Sequence, residues 1–124
     1  MIIMSKEQII LMHNIIVAKT GGSKGIRDDS LLDSAILSPF QEYGGKKLYK
    51  TLEERAARLG YGLISNHCFI DGNKRIGIHS MLMLLILNGS SLIYTPKELY
   101  DITIDIASGK KDDKDLLDWI KKHQ

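Results

Sequence analysis

A histidine, a carboxylate, a glycine and two cations fall within the segment His67–Arg75, whose sequence is HCFIDGNKR. The segment stands directly before a strongly apolar helical pattern. The first residues of a helix leave backbone N–H groups unpaired and carry a partial positive charge, so an anion is stabilised there. Lys74 and Arg75 add formal positive charge at the same place. The segment therefore predicts a phosphate-binding site.

Two further side chains in this segment suggest what happens at the site. Asp71 is a poor ligand for an anion but a good oxygen ligand for Mg²⁺, which proteins commonly hold through one or two carboxylates together with substrate phosphates. His67 precedes the anion site, and histidine is the side chain best suited to take a proton near neutral pH. The pattern predicts a Mg²⁺ ligand at Asp71 and, at His67, a general base that faces a hydroxyl.

The helices that must position these residues are marked by their caps. Ser5, Thr51 and Thr95 are each followed three residues later by Gln or Glu, which is the pattern of a capping box. Apolar residues recur at helical spacing after each of these starts, and also near the C-terminus. A second short helix is predicted over Asp29–Leu37. Glycines that can end helices follow at Gly21, Gly89 and Gly109.

The helix predicted over about Asn73–Leu87 is apolar on nearly every face, a pattern typical of a helix surrounded by other elements. The sequence therefore predicts an all-α fold, a helical bundle around one buried central helix. Gln41–Tyr49 is the exception, because Gly44-Gly45 at its centre suits the tight turn of a small β-hairpin. Gly60 and Gly62 lie inside the third helix, where glycine is unfavourable unless it permits close packing of the backbone.

Composition limits the classes of function. The chain has 124 residues, 44% of them hydrophobic, and no shift in composition, so we expect a single domain over residues 1–124. The net charge is +2, and no basic stripe with interleaved aromatic residues indicates nucleic-acid binding. The apolar run Met81–Leu87 is shorter than the ~18 residues that a membrane span needs. The single cysteine and the lack of a leader-like N-terminus favour a cytoplasmic protein.

The segment His67–Arg75 resembles the motif of the Fic/Doc (death-on-curing) family, HxFx(D/E)GN(G/K)R. Further segments look like the Doc branch of that family along nearly the whole chain: Gly21–Asp28, Ser38–Phe40, Tyr43–Gly45 and Asn88–Gly89. Cys68 stands where the family usually has proline. Lys74 replaces a glycine, and Ile78 a second arginine, of the AMP-transferring branch. These last two differences favour the Doc branch.

The resemblance implies a Fic-fold toxin of a toxin–antitoxin pair, with a separate antitoxin protein as its partner. For the Doc branch it implies transfer of the γ-phosphate of ATP to a Ser/Thr hydroxyl of a protein substrate, of the translation elongation factor class, which halts growth. It implies that Phe69 anchors the motif loop in the core and that His67 is the base. It also implies Mg²⁺ at Asp71 and phosphates cradled by Gly72, Asn73, Lys74 and Arg75.

Two alternatives stay open. One is transfer of AMP, or of another nucleotide-derived group, to a protein hydroxyl. The other is a non-catalytic relative that binds a partner through the same groove, although the intact His67, Asp71 and Arg75 argue against it. Ser38–Glu42 is the nearest match to the family's inhibitory-helix pattern [S/T]xxxE[G/N], but Tyr43 follows it. We therefore expect inhibition by a separate antitoxin whose tail folds on binding.

The other histidines have plainer interpretations. His13 and His79 have no metal-ligand spacing to a partner, so we expect hydrogen-bonded histidines in or beside the core and no zinc site. His123 is expected to be solvated.

Cys68 and the pair Arg27-Asp28 complete the candidates. We expect Cys68 to be a tolerated replacement for proline, because neighbouring loop residues generally point apart and no third residue is identifiable to orient a base beside it. The alternative is a reactive thiol activated by the cations of the motif.

The pair Arg27-Asp28 has two interpretations. In the first, it orients the motif loop or contacts a partner. In the second, Asp28 or Asp29 simply caps the second helix.

Overall fold

The structure is a computed structural model that describes residues 1–124. It contains six α-helices, one short 3₁₀ segment and one two-stranded antiparallel hairpin. This confirms the predicted all-α fold with a small hairpin. In chain order the elements are α1 (Lys6–Thr20), α2 (Asp29–Leu37), the 3₁₀ segment Ser38–Phe40, β1 (Glu42–Tyr43), β2 (Lys46–Lys47), α3 (Leu52–Ser65), α4 (Asn73–Leu87), α5 (Pro96–Ala107) and α6 (Asp113–Lys122).

The predicted helix starts are confirmed at Ser5, Thr51 and Thr95, whose side chains each accept a hydrogen bond from the third following N–H group. The full reciprocal capping box forms at Ser5 and Thr95. At Thr51 the hydroxyl itself donates to the Glu54 carboxylate, at 3.1 Å. Each such cap stabilises its helix by about 1 kcal/mol.

The hairpin also forms as predicted. Glu42 pairs with Lys47 and Tyr43 with Lys46. Gly44 and Gly45 between them have φ values of 58° and 78°. Positive φ at both central residues is what the two-residue turn of a twisted hairpin requires.

The helices α3 and α4 form the centre of the bundle, and glycines let their backbones approach. A methyl group on Gly77 would lie 2.5 Å from Ile64 Cγ1 and 3.0 Å from the Gly60 carbonyl oxygen. A methyl group on Gly62 would lie 3.3 Å from Ala35 of α2. The close packing predicted for Gly60 and Gly62 is therefore confirmed. All six helices contribute buried side chains to one hydrophobic cluster.

Helix α4 is buried over most of its length but not on every side. Its side chains are buried from Ile76 to Leu85 on the faces towards α3, whereas Ile86 is 58% exposed. The open side of α4 forms, together with α1 and α5, a largely apolar groove of about 620 Å³. The expectation that other elements cover every face of α4 is therefore met only in part. No helix of the structure combines the length and apolarity needed to span a bilayer.

The end of α6 is held against the start of α5 by His123. Its Nδ1 lies 2.6 Å from the Trp119 carbonyl oxygen and its Nε2 lies 2.9 Å from Glu98 Oε2. Because both partners accept, both ring nitrogens donate when the ring is protonated to the imidazolium. These two hydrogen bonds raise the pKa of His123, and the pKa of Glu98 falls to about 2. The prediction that His123 is solvated is wrong, since only 14% of its side chain is exposed.

Candidate active site

The motif loop joins the end of α3 to the start of α4 and is bounded by two residues with left-handed backbones. His67 has a φ of 48° and is the single non-glycine residue with positive φ, while Gly72 has a φ of 76°. Gly72 caps α4, and its carbonyl accepts the first helical hydrogen bond, from Ile76 N at 2.9 Å. The left-handed conformation at both residues turns the chain sharply. His67 and the start of α4 therefore belong to the same short loop.

At its first end, called the base end below (residues 66–68), the loop is held by Arg27. The Arg27 Nε donates to the His67 carbonyl at 2.5 Å, and its Nη2 donates to the Asn66 carbonyl at 3.1 Å. The backbone N–H groups of Arg27 and Asp28 both donate to the Cys68 carbonyl. The His67 side chain is exposed and makes no hydrogen bond within the protein. Its imidazole is thus open to a substrate hydroxyl.

These contacts resolve the two interpretations of Arg27-Asp28, because both apply. Arg27 orients the motif loop, while Asp28 caps α2 by accepting from Leu31 N at 3.0 Å.

At its second end, called the anion end below (residues 71–75), the loop offers unpaired backbone donors. The N–H groups of Asn73, Lys74 and Arg75 have no acceptor in the structure. Three such groups at the start of a 15-residue helix could donate to an anion such as a phosphate. No side chain caps this helix, unlike the start of α1 or α5.

The two cations of the anion end differ in what they contact. Arg75 Nη1 donates to the Thr20 hydroxyl and, at 2.6 Å, to the Gly21 carbonyl, while its Nη2 lies 3.6 Å from Asp71 Oδ1. Lys74 is exposed and forms no ion pair. Arg75 therefore ties the anion end to the end of α1, and Lys74 is the cation whose charge is free to meet an incoming phosphate.

Asn73 contributes to the anion site through its backbone. Its side-chain amide spans the loop, with Oδ1 accepting from Phe69 N at 2.9 Å and Nδ2 donating to the Phe69 carbonyl at 3.0 Å. Phe69 is 1% exposed and forms an isolated β-bridge with Ile26. The amide of Asn73 thus shapes the loop, and the second hydrogen of its Nδ2 has no acceptor in the structure.

The Asp71 carboxylate lies half exposed between the loop and the segment that follows α1. Its Oδ2 accepts from Ser23 N at 3.2 Å and its Oδ1 accepts from Gly72 N at 2.8 Å. These hydrogen bonds, with a smaller contribution from the Arg75 charge, lower the pKa of Asp71, so it is an anion at neutral pH. A methyl group on Gly22 would lie 2.7 Å from Asp71 Oδ2, so this approach requires glycine.

The donor set at Asp71 fits Mg²⁺ in one specific way. No group of three or more His, Cys, Asp or Glu side chains could hold a metal ion by itself. One carboxylate is nevertheless sufficient for Mg²⁺ when phosphate oxygens of a substrate and water complete the shell. Asp71 would therefore hold the ion together with a nucleotide bound at the anion end.

Cys68 does not face this site. Its side chain is fully buried, with the sulfur 4.0 Å from the Leu63 carbonyl. Burial raises the pKa of the thiol, whereas a reactive cysteine would have a lowered one. The alternative of a thiol activated by the motif cations is therefore wrong.

Two histidines outside the motif lie beside the site. The groove along α4 begins at Lys74 and Arg75 and is also lined by His79, which is half buried and forms no hydrogen bond. The expectation of a hydrogen-bonded His79 is therefore wrong. Arg75 and His79 are four residues apart and share a helix face, a signal that could have placed His79 beside the site. The other histidine is His13, for which the expectation of a hydrogen-bonded core histidine is confirmed: it is fully buried, and its Nε2 contacts the Asp71 carbonyl.

Comparison with known proteins shows the family of the chain. The Fic/DOC family matches residues 3–85, and the chain belongs to that family. The chain is similar to "Protein kinase doc" of Escherichia phage P1, at 28% identity over 118 residues that cover 95% of this chain and 92% of the relative. It is also similar to "Toxin Doc" of Mycolicibacterium smegmatis, at 38% identity over 72 residues. That match covers 58% of this chain and about half (55%) of the relative.

Proposed function

We propose that this protein is a Doc-type toxin that transfers the γ-phosphate of ATP to a Ser/Thr hydroxyl of a target protein and so halts growth. The observation that carries the proposal is the anion end of the motif loop, where three unpaired N–H groups and the free charge of Lys74 follow an exposed histidine. The names of the two relatives, a protein kinase and a toxin, support the same function.

In the proposed reaction the oxygen of the target hydroxyl attacks the γ-phosphorus of ATP. The bond from that phosphorus to the bridging oxygen of the β-phosphate breaks, ADP leaves, and the hydroxyl proton passes to the imidazole of His67. Phosphoryl transfer depends mainly on positioning and on neutralising charge. The N–H groups of residues 73–75 and the ammonium of Lys74 supply fixed positive charge for this purpose.

Asp71 would hold Mg²⁺ in this reaction, because it is the ionised carboxylate closest in sequence to the open N–H groups. The ion, when bound, neutralises part of the phosphate charge. Arg75 supports Asp71 from 3.6 Å and has its other contacts on α1.

Lys74 is the reason for preferring phosphate transfer over AMP transfer. In the AMP-transferring branch a glycine at this position leaves a backbone nest for the β-phosphate. Here an exposed ammonium occupies that position, and Ile78, one turn further, is 7% exposed and carries no charge to hold a second phosphate. Both differences favour a nucleotide bound with its γ-phosphate towards His67.

The proposed partners are a substrate of the translation elongation factor class, met in the cytoplasm, and a separate antitoxin. The segment that comes nearest to an inhibitory helix is not one continuous α-helix, because Ser38–Phe40 is a 3₁₀ turn and Glu42 belongs to β1. This supports inhibition from outside the chain.

The test is to incubate the protein and a cell extract with ATP labelled at the α- or the γ-position in separate reactions. We expect label on one protein band from the γ-position, and none with the His67→Ala variant. Label from the α-position would overturn the kinase proposal in favour of AMP transfer. No label from either position, with folded protein that still binds a partner, would favour the non-catalytic alternative.

A further inference from the structure

His13 occupies a core position of α1 that an apolar side chain would ordinarily fill. The buried face of α1 consists of Ile9, His13 and Val17, spaced four residues apart, and the histidine is fully buried between its two aliphatic neighbours. Burying a polar ring is unfavourable unless its hydrogen bonds are satisfied. Here one ring nitrogen, Nδ1, has no partner at all.

The other ring nitrogen makes a short hydrogen bond to the motif loop. His13 Nε2 lies 2.6 Å from the Asp71 carbonyl oxygen. A carbonyl oxygen only accepts, so Nε2 carries the hydrogen and donates. The ring also stacks on Phe69, with centroids 3.8 Å apart and planes 11° from parallel. A methyl group on Gly72 would come within 3.4 Å of Nε2, so the histidine fits closely under the turn that starts α4.

The Asp71 carbonyl has no other donor in the structure. The hydrogen bonds of α4 begin one residue later, with Ile76 N donating to the Gly72 carbonyl. The left-handed backbone at Gly72 separates the Asp71 carbonyl from that series of bonds. The direction of this carbonyl is thus determined by His13.

The same peptide unit reaches the Asp71 side chain. A trans peptide is planar, and its C=O and N–H point in opposite directions. The N–H of the unit that joins Asp71 to Gly72 donates to Asp71 Oδ1 at 2.8 Å. One continuous series of hydrogen bonds therefore runs from the His13 ring, through this peptide, to the carboxylate, and bonds in such a series polarise one another.

We propose that His13 is a positioning residue for Asp71: by fixing the peptide between Asp71 and Gly72 it sets the direction of the carboxylate that receives the cation. The role of that cation rests on the function proposed above. The hydrogen-bond series itself does not, because it is a property of the protein without ligand. Outer partners of this kind commonly change metal affinity 10- to 100-fold.

Two substitutions separate the functions of the ring. His13→Phe keeps the stacking on Phe69 and removes the donor, whereas His13→Gln places an amide N–H near the position of Nε2 and removes the ring. Ile9→Ala is the matched control, since it removes buried volume from the same face of α1 and leaves the imidazole of His13 intact. Thermal unfolding is recorded for all three variants.

The first readout needs no nucleotide. In ¹H–¹⁵N spectra we expect the Gly72 amide of His13→Phe to shift and to exchange with solvent roughly tenfold faster than in the wild type. The Gly72 amide of His13→Gln and of Ile9→Ala should remain within about threefold of the wild-type exchange rate. An unchanged Gly72 amide in His13→Phe, or equal changes in the Gln and Phe variants, would overturn the proposal.

The second readout is the Mg²⁺ concentration that gives half-maximal binding of a non-hydrolysable ATP analogue. We expect it to rise about tenfold in His13→Phe and to stay within about threefold in His13→Gln. If this Mg²⁺ concentration rises as much in Ile9→Ala as in His13→Phe, the role of His13 is purely structural and the proposal is wrong. If the wild type binds no nucleotide, the proposed function fails, and the Gly72 amide still decides the role of His13.

A third measurement covers the case in which neither His13 variant folds. The ¹⁵N shifts of the imidazole in the wild-type protein should show hydrogen on Nε2 and none on Nδ1. Hydrogen on Nδ1 alone would mean that the ring does not donate to Asp71, and the proposal would be abandoned.

Discussion

At the base end of the motif loop, Arg27 holds the carbonyls of Asn66 and His67 from the surface, whereas at the anion end His13 holds the Asp71 carbonyl from inside the core. The first contact is made by an exposed arginine and leaves the imidazole of His67 open. The second is made by a fully buried histidine stacked on Phe69.

The difference corresponds to what each end would bind. A base that takes a proton from a hydroxyl on another protein must stand at the surface. A phosphate site gains most from donors fixed before the ligand arrives, because no reorganisation is then needed at the moment of reaction. We therefore expect substitutions at the base end to change the rate of transfer, and substitutions at the anion end to change nucleotide binding.

His67→Ala should cause the largest effect and should confine it to the rate. Loss of a general base lowers the rate by roughly 10²- to 10⁴-fold, while ATP binding and the melting temperature should stay close to those of the wild type, since the side chain is exposed and unpaired. Expression of the His67→Ala variant should no longer arrest growth. His67→Asn is the matched control, because asparagine tolerates the left-handed backbone but is not a base. Toxicity at matched protein levels would contradict the assignment of His67.

Asp71→Ala should act on nucleotide binding. We expect the enhancement of ATP binding by Mg²⁺ to fall by more than about tenfold, because the variant lacks the ionised carboxylate of the motif. Calorimetric titration with and without Mg²⁺ measures this directly. Asp71→Asn keeps an oxygen that can accept a hydrogen bond from Gly72 N but removes the negative charge. Comparing the two variants therefore separates an effect on the loop structure from an effect on metal binding. An undiminished Mg²⁺ enhancement in both variants would eliminate Asp71 as the ligand.

Lys74→Gly tests which phosphate is transferred. Removing the free cation should lower γ-phosphate transfer roughly tenfold, and opening the backbone nest should permit some AMP transfer. This AMP transfer should stay small, since Ile78 offers no charge to a second phosphate. Lys74→Arg, which retains the charge, should keep most of the activity. ATP labelled separately at the α- and γ-positions distinguishes the two transfers, and full γ-transfer by the glycine variant would show that Lys74 is dispensable.

Arg27→Ala should have a smaller effect, again on the rate. Without its two hydrogen bonds the carbonyls of Asn66 and His67 would be held only by the neighbouring backbone, and misplacement of the base should cost roughly three- to tenfold in kcat. The affinity for ATP should not change. The affinity is measured by equilibrium binding of ATP, and kcat is measured from a time course of transfer. A loss of ATP affinity equal to the loss of rate would show that the two ends of the loop are not independent.

His123→Gln is the distant control and should give the smallest effect, limited to stability. Interactions that raise the pKa of His123 stabilise the fold below its ordinary value of 6.5 and are lost as the pH rises through the raised value. Those that lower the pKa of Glu98 from 4.5 to about 2 are lost as the pH falls through that range. The variant should therefore melt about 2 °C lower near pH 5.5 and almost as the wild type near pH 9. An equal difference at both pH values would contradict the ion pair.

The parts of the fold that the sequence predicted correctly depend on neighbouring residues. Ser5, Thr51 and Thr95 bond to groups three residues away, and the two glycines of the hairpin set their own turn. The start of α4 was predictable for the same reason, because Gly72 and the apolar run after it are adjacent. Sequence spacing is sufficient wherever the energetic reason lies within one turn of the chain.

The specific contacts that the sequence did not identify join residues far apart in the chain. His13 and Asp71 are separated by 58 positions and Arg27 and His67 by 40, so no periodicity links them. His123 appeared solvated because Glu98, its acidic partner, lies 25 positions earlier. The roles of the motif residues in catalysis and binding stay predictions, since their geometry fits those roles without testing them.

The burial of Cys68 has a practical consequence for experiments on this protein. It is the only cysteine of the chain, and burial with a raised pKa makes its thiol slow to react with alkylating reagents. A cysteine introduced at an exposed position such as Lys47 would then be the single site modified under mild conditions. A fluorophore attached there would report on the surroundings of the hairpin in real time, with no need to remove the native cysteine first.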